Sequence, residues 1–149
     1  MNNLIKSLET LSDLKGHHKN IAAKKLEAVN FELEQLKASL NTEEEELSTL
    51  YQKIRETREN SGQISSEQYI LESELITEMQ KSIKNILERI EAIKLERSNL
   101  KTEVLAEMNK EKLYSNLATD KKNNIRQNVE KREDNQLQEQ WLANRYNND

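Results

Sequence analysis

Apolar residues recur along this chain at alternating spacings of three and four. From Leu26 the series runs Leu26, Val29, Leu33, Leu36, Leu40, Glu43, Leu47, Leu50 and Ile54, apolar at eight of nine positions. A second series runs Ile76, Met79, Ile83, Ile86, Ile90, Ile93, Arg97, Leu100 and Val104, again apolar at eight of nine. This spacing keeps one stripe of a helix facing a partner helix. The pattern predicts two long helices, one over about 2–60 and one over about 66–145.

Between the two series lies the chain's only dense cluster of turn residues, Asn60-Ser61-Gly62-Gln63-Ile64-Ser65-Ser66. Gly62 suits the left-handed position just past a helix end. Ser65 followed by Gln68 reads as a capping box, with Ile64 and Tyr69 placed as a hydrophobic staple. A connection this short, about 61–65, makes the helices antiparallel neighbours. The expected fold is therefore all-α: a two-helix antiparallel coiled-coil hairpin with a longer second helix, one domain over 1–149.

Facing residues in such a hairpin have nearly constant summed numbers. Pairing Leu47 with Ile76, Leu40 with Ile83, Leu36 with Ile86, Leu33 with Ile90 and Val29 with Ile93 gives sums of 122 or 123. The same register brings Ala22 to Leu100, His18 to Val104, Leu14 to Met108, Leu8 to Tyr114 and Leu4 to Ala118. The first seam then passes through consecutive fours (14, 18, 22, 26), opposite fours at 100, 104 and 108, and such stutters locally unwind a supercoil. Glu43 near Lys81 and Arg97 near Glu27 read as polar register devices within the seam. Residues 120–149 are left over as an unpaired extension. A helix with so thin an apolar stripe (Ile125, Val129, Leu137, Trp141, Leu142, Tyr146) is expected to fray when nothing binds it.

Composition sharpens this picture. Of the 149 residues, 34% are charged and 34% apolar, with no Pro and no Cys. That apolar share is below the roughly 45–50% of compact globules. The missing cysteines exclude a disulfide scaffold and a thiolate metal site, and they fit a reducing compartment. No apolar run reaches the length of a membrane span, and the start lacks the apolar block of a secretory signal. With a net charge of −4 the chain as a whole has no attraction to nucleic acid.

Catalysis requires groups converging in a concave pocket, which a two-helix hairpin does not provide. The run Glu43-Glu44-Glu45-Glu46 points in diverging directions around a helix and reads as a solvated acidic stretch. His17 and His18 also diverge, and no third His or Cys completes a tetrahedral set. The expectation is a non-enzyme without cofactor or metal, and without nucleic acid as a partner.

Charge is unevenly spread. Residues 43–78 hold three basic and ten acidic groups, whereas Lys110–Arg132 holds seven basic and three acidic. Near the turn, Tyr51, Leu71 and Leu75 lie off the strict seam and are candidate partner contacts; the alternative is that they only broaden the seam. The layout suggests a linker between two different partners.

In these features the chain resembles the FliJ/YscO family, central stalk proteins of flagellar and virulence type III secretion. The resemblance rests on the hairpin layout and on three segments: Leu8-Glu9-Thr10-Leu11-Ser12-Asp13-Leu14, Gly62-Gln63-Ile64-Ser65-Ser66-Glu67-Gln68-Tyr69-Ile70, and Lys131-Arg132-Glu133-Asp134-Asn135-Gln136-Leu137 with Trp141. It implies a monomeric rod, cytoplasmic at the base of the secretion apparatus. Its helical ends would engage a hexameric secretion ATPase, its tip would reach the cytoplasmic domain of the export gate, and it would also handle export chaperones. Tyr69, Leu75 and Met79, with Tyr51 and Leu71, would meet the gate. Lys121, Lys122, Arg126, Lys131 and Arg132 would meet acidic ATPase loops. One departure is charge, since such stalks are often basic and this chain is acidic. The rival reading is a coiled-coil adaptor or secretion chaperone that self-associates; a monomer in sedimentation favours the stalk and a tight dimer the adaptor.

Overall fold

The computed structural model describes residues 2–147. Among them the fold is an all-α hairpin of two helices, α1 over Asn2–Ser61 and the longer α2 over Ser66–Asn147. Both follow from a sequence without proline, in which side-chain hydroxyls that would compete with helix turn back onto it. Thr10 and Thr42, for example, donate to the carbonyls of Lys6 and Ala38 four residues earlier.

The turn is built as its residues dictate. Gly62 has φ of 68°, the left-handed conformation that ends a helix without steric cost, and its N–H donates to the Arg58 carbonyl at 3.1 Å. Ser65 Oγ accepts the Gln68 N–H at 3.1 Å, capping α2. Only half of the expected capping box forms. The Gln68 side-chain amide donates forward to Glu72 Oε1 at 3.4 Å instead of reaching back to accept the Ser65 N–H.

Packing divides the chain into two units, Met1–Ile21 with Glu103–Asp149 (unit 1) and Ala22–Thr102 (unit 2). The core of unit 2 is Val29, Leu33, Ile90, Ile93 and Leu100, with Leu26, Leu36, Leu40 and Ile86 packed against it. Leu47, Ile76 and Ile83 are half-buried, so all twelve hairpin-seam residues named from the sequence lie at least partly inside. The polar seam residues have other partners than expected. Glu43 Oε1 accepts the Ser82 hydroxyl at 3.0 Å rather than meeting Lys81, and its second oxygen is buried without a hydrogen bond. Arg97 is half-buried, without an ion pair to Glu27 among the described residues.

Unit 1 keeps the expected sums of 122 or 123, with Ser12 on Glu111, Lys15 on Glu107 and both Leu8 and Tyr114 inward, but it turns other α1 residues toward α2 than Leu4, Leu14 and His18. Leu4 and Leu14 are 48% and 45% exposed, while Ile5 and Ala118 are buried. The inward positions are 5, 8, 12, 15 and 19 on α1 and 104, 107, 111, 114 and 118 on α2. Both series alternate threes and fours without interruption, so there is no stutter. Keeping strict heptads places Ser12, Lys15 and Lys19 against Glu107 and Glu111 and turns the leucines outward. Ser12 Oγ donates to the Glu111 carbonyl at 3.2 Å. Lys19 Nζ lies 2.7 Å from Glu111 Oε2, and Lys15 Nζ lies 3.5 Å from Glu107 Oε2. Gly16 leaves room for this layer: a Cβ there would come within 3.1 Å of Glu111 Oε1.

The extension also differs. Lys122 pairs with Glu9, and Ile125 is half-buried in a hollow it shares with Ile5, Lys6 and Arg126. Pairing thus continues past residue 120, and residues 126–147 are helical and exposed throughout. Prolonging a helix that already exists avoids the unfavourable nucleation step. Arg126 with Glu130 at 3.7 Å, and Arg145 lying 5.3 Å over the Trp141 ring, add local support.

Candidate functional site

At the turn end of unit 2, the start of α2 presents Tyr69, Ile70, Leu71 and Leu75, all exposed, with Leu71 at 66% and Leu75 at 47%. Ile64, held half-buried by the staple geometry, joins Tyr69 and Ile70 around a shallow hollow of about 440 Å³ with Ser65 and Ser66. A larger groove of about 860 Å³ runs along α1 past Leu47, Tyr51, Ile54 and Arg58. The acidic surroundings include Glu44, Glu45 and Glu46, all exposed. Glu72 faces the guanidinium of Arg58 at 3.7 Å, so one of the few basic groups at this end is engaged.

The five gate-contact candidates do not share one surface. Tyr51 follows seam residue Leu50, and its hydroxyl accepts a hydrogen bond from Gln80, which follows Met79, at 3.1 Å. Leu75 lies five residues before Gln80, about 140° around the helix at 3.6 residues per turn, and Leu71 is one turn further back. Tyr51 is thus on one side of the unit and the Leu71–Leu75 pair on another. Met79 is half-buried within the seam. Tyr69 groups with Ile70, a contact that reading off-seam leucines alone passes over; its signal was the apolar run Tyr69-Ile70-Leu71 right after the cap.

The five basic candidates at the open end of unit 1 are likewise in different states. Lys122 is committed to Glu9 and Arg126 to Glu130. Lys121, Lys131 and Arg132 are exposed and have no ion-pair partner among the described residues. Beyond them, Leu137, Trp141 and Tyr146 stand exposed on the same helix.

Among the described residues, no group of three His, Asp or Glu side chains could hold a metal ion, and no helix is long and apolar enough to cross a membrane. What these surfaces offer chemically is contact: an apolar, acid-flanked tip in unit 2 and, in unit 1, a single-helix overhang of mixed charge that exposes the basic pair Lys131 and Arg132. No family model, curated protein or solved structure matches the chain.

Proposed function

We propose that the chain is the non-catalytic central stalk of a type III secretion system. In this reading it lies in the cytoplasm at the base of the apparatus, linking a hexameric secretion ATPase to the export gate and handling export chaperones. The observation that carries the reading is the division of contact chemistry between the two units. A single-helix overhang, 127–147, has no packing partner among the described residues and offers Lys131 and Arg132 as an exposed basic pair in a stretch of mixed charge, and an apolar tip of Tyr69, Ile70, Leu71 and Leu75 stands among acidic residues. The paired helices would transmit position or torque, and the overhang would supply Lys131 and Arg132 to acidic ATPase loops, with Lys121 beside it.

The test uses both ends separately. Deleting residues 127–149 is expected to abolish capture of the hexameric ATPase while leaving gate-domain binding intact. Leu71→Asp with Leu75→Asp is expected to do the reverse. Full ATPase binding by the truncated chain would overturn the role given to the overhang.

A further inference from the structure

The strict heptad register of unit 1 leaves a second apolar stripe uncovered. Leu4, Leu11, Leu14 and Ile21 on α1 are 37–48% exposed, and Leu113 and Leu117 on α2 are 54% and 40% exposed. Each of the six stands one residue before a position of the 3,4 series. One step back turns a helix by about 100°, and on two antiparallel helices that face each other both steps lead to the same side. The ion pairs bear out this rule. Glu32 and Arg89, each one residue before the seam, meet at 2.8 Å in unit 2, and Glu9 and Lys122, each one residue after it, meet in unit 1.

This side is also unlike the rest of the chain in charge. Its α1 positions 3, 4, 7, 10, 11, 14, 17, 18 and 21 include no Lys, Arg, Asp or Glu. A chain that is 34% charged would place about three there, and depletion of charge marks the centre of protein interfaces. On α2 this side carries Glu103, Lys110 and Asp120, one net negative charge. The opposite side carries Lys6, Glu9, Asp13, Lys112 and Lys122.

We propose that this charge-poor face of unit 1 docks a second copy of the chain in a two-fold, antiparallel pairing of α1 with α1. The argument for that occupant is self-complementarity. The stripe 4, 7, 11, 14, 18, 21 itself alternates threes and fours, so it packs against a helix at the shallow angle of a coiled coil. Facing positions in the symmetric pairing sum to 25. Leu4 then meets the other copy's Ile21, Leu11 meets its Leu14, and the polar pair Ser7 and His18 meet each other. Apolar falls on apolar and polar on polar, as an isologous interface requires, and neither α1 brings a Lys, Arg, Asp or Glu to the contact. Leu113 and Leu117 extend the apolar patch from α2. The patch spans fewer than three heptads, at the small end of stable interfaces, so dissociation is expected in the range of roughly 1–100 µM. A dimer this weak leaves single copies free to take up the stalk role, and the inference does not depend on that role.

Sedimentation velocity on the full chain from about 1 µM to about 1 mM should reveal a reversible monomer–dimer equilibrium. Leu11→Lys with Leu14→Lys should weaken it by at least about 30-fold, the loss expected at an interface hot spot, with helical content unchanged. Leu87→Lys and Leu95→Lys, exposed apolar sites in unit 2, should leave it unaltered. Because the chain has no cysteine, the pairing can be read directly: a mixture of the Leu11→Cys and Leu14→Cys variants should form a disulfide faster than either alone. A monomer at every concentration, a dimer indifferent to the two lysines, or faster bridging of Leu11→Cys to itself would overturn the proposal. ATPase capture, measured on the same lysine variant, should be unchanged, which separates failure of this inference from failure of the stalk reading.

Discussion

Reversing the charge of Lys15 distinguishes the heptad register of unit 1 from one that follows its leucines. Lys15 Nζ lies 3.5 Å from Glu107 Oε2, with side chains only 19% and 15% exposed, and that carboxylate oxygen is buried without any hydrogen bond. Two unit charges at this separation interact by about 5 kcal/mol at an effective dielectric of 20. Residual water contact and outward bending of the new side chain reduce this, so Lys15→Glu should cost about 2–3 kcal/mol. Leu14→Glu, one residue away but pointing outward, should cost about 0.5 kcal/mol or less when measured at a concentration low enough to keep the chain monomeric. The assay is urea unfolding followed by helical circular dichroism, with Glu107→Lys added to complete a double-mutant cycle. That second change should recover at least half of the loss. A register through Leu14 demands the opposite ranking. If Leu14→Glu proved the more damaging of the two, or Glu107→Lys gave no rescue, the polar seam of unit 1 would be wrong.

Other expectations can be checked by the same unfolding measurement. Ile93→Ala, at the centre of the unit 2 core and 0% exposed, should lose about 2–4 kcal/mol, whereas Leu95→Ala should lose about 0.5 kcal/mol or less. Gly62→Ala meets no atom within 4 Å, so its cost, about 1–2 kcal/mol, should come from the positive φ alone. Deleting residues 127–149 should leave the midpoint within about 0.5 kcal/mol of the full chain while removing helical signal, since none of residues 127–147 is buried.

What could be read from the residues tracks how each position earns its place. In unit 2 the seam is made of Leu, Ile and Val, so the apolar spacing and the packing coincide, and Leu33 with Ile93 could be paired by arithmetic alone. The turn was legible because Gly62 and Ser65 perform jobs that few other residues do. Unit 1 was not, because its inward positions include Ser12, Lys15, Lys19, Glu107 and Glu111, and a hydrophobic template passes over them to Leu14 and His18. Continuing the threes and fours backward from Leu26 through 22, 19, 15, 12, 8 and 5 would have found the seam. Of the candidate contacts, the spacing could say that Tyr51, Leu71 and Leu75 were off the seam, but not that they stand on different sides, which needs the direction of each offset. Ion pairs such as Glu32 with Arg89 were hidden among the many charges that make no contact.

The two seams imply different stabilities within one hairpin. Burial of aliphatic side chains stabilises unit 2 by roughly 1.5–3 kcal/mol per fully buried residue. In unit 1 the corresponding layers are Lys15 with Glu107 and Lys19 with Glu111, and the net worth of partly buried ion pairs is small once desolvation is subtracted. Unit 1 should therefore open locally more often, a low-stability region of the kind hydrogen exchange detects. At concentrations that hold the chain monomeric, backbone amides in 5–19 and 104–118 should exchange faster than those in 26–40 and 83–100. Raising the concentration should slow exchange in 5–19 selectively if the leucine face is covered by a second copy, since a ligand that binds the folded state lowers the open population in proportion to its occupancy. Uniform protection along both helices at low concentration would refute the inequality between the seams, whether or not a dimer forms.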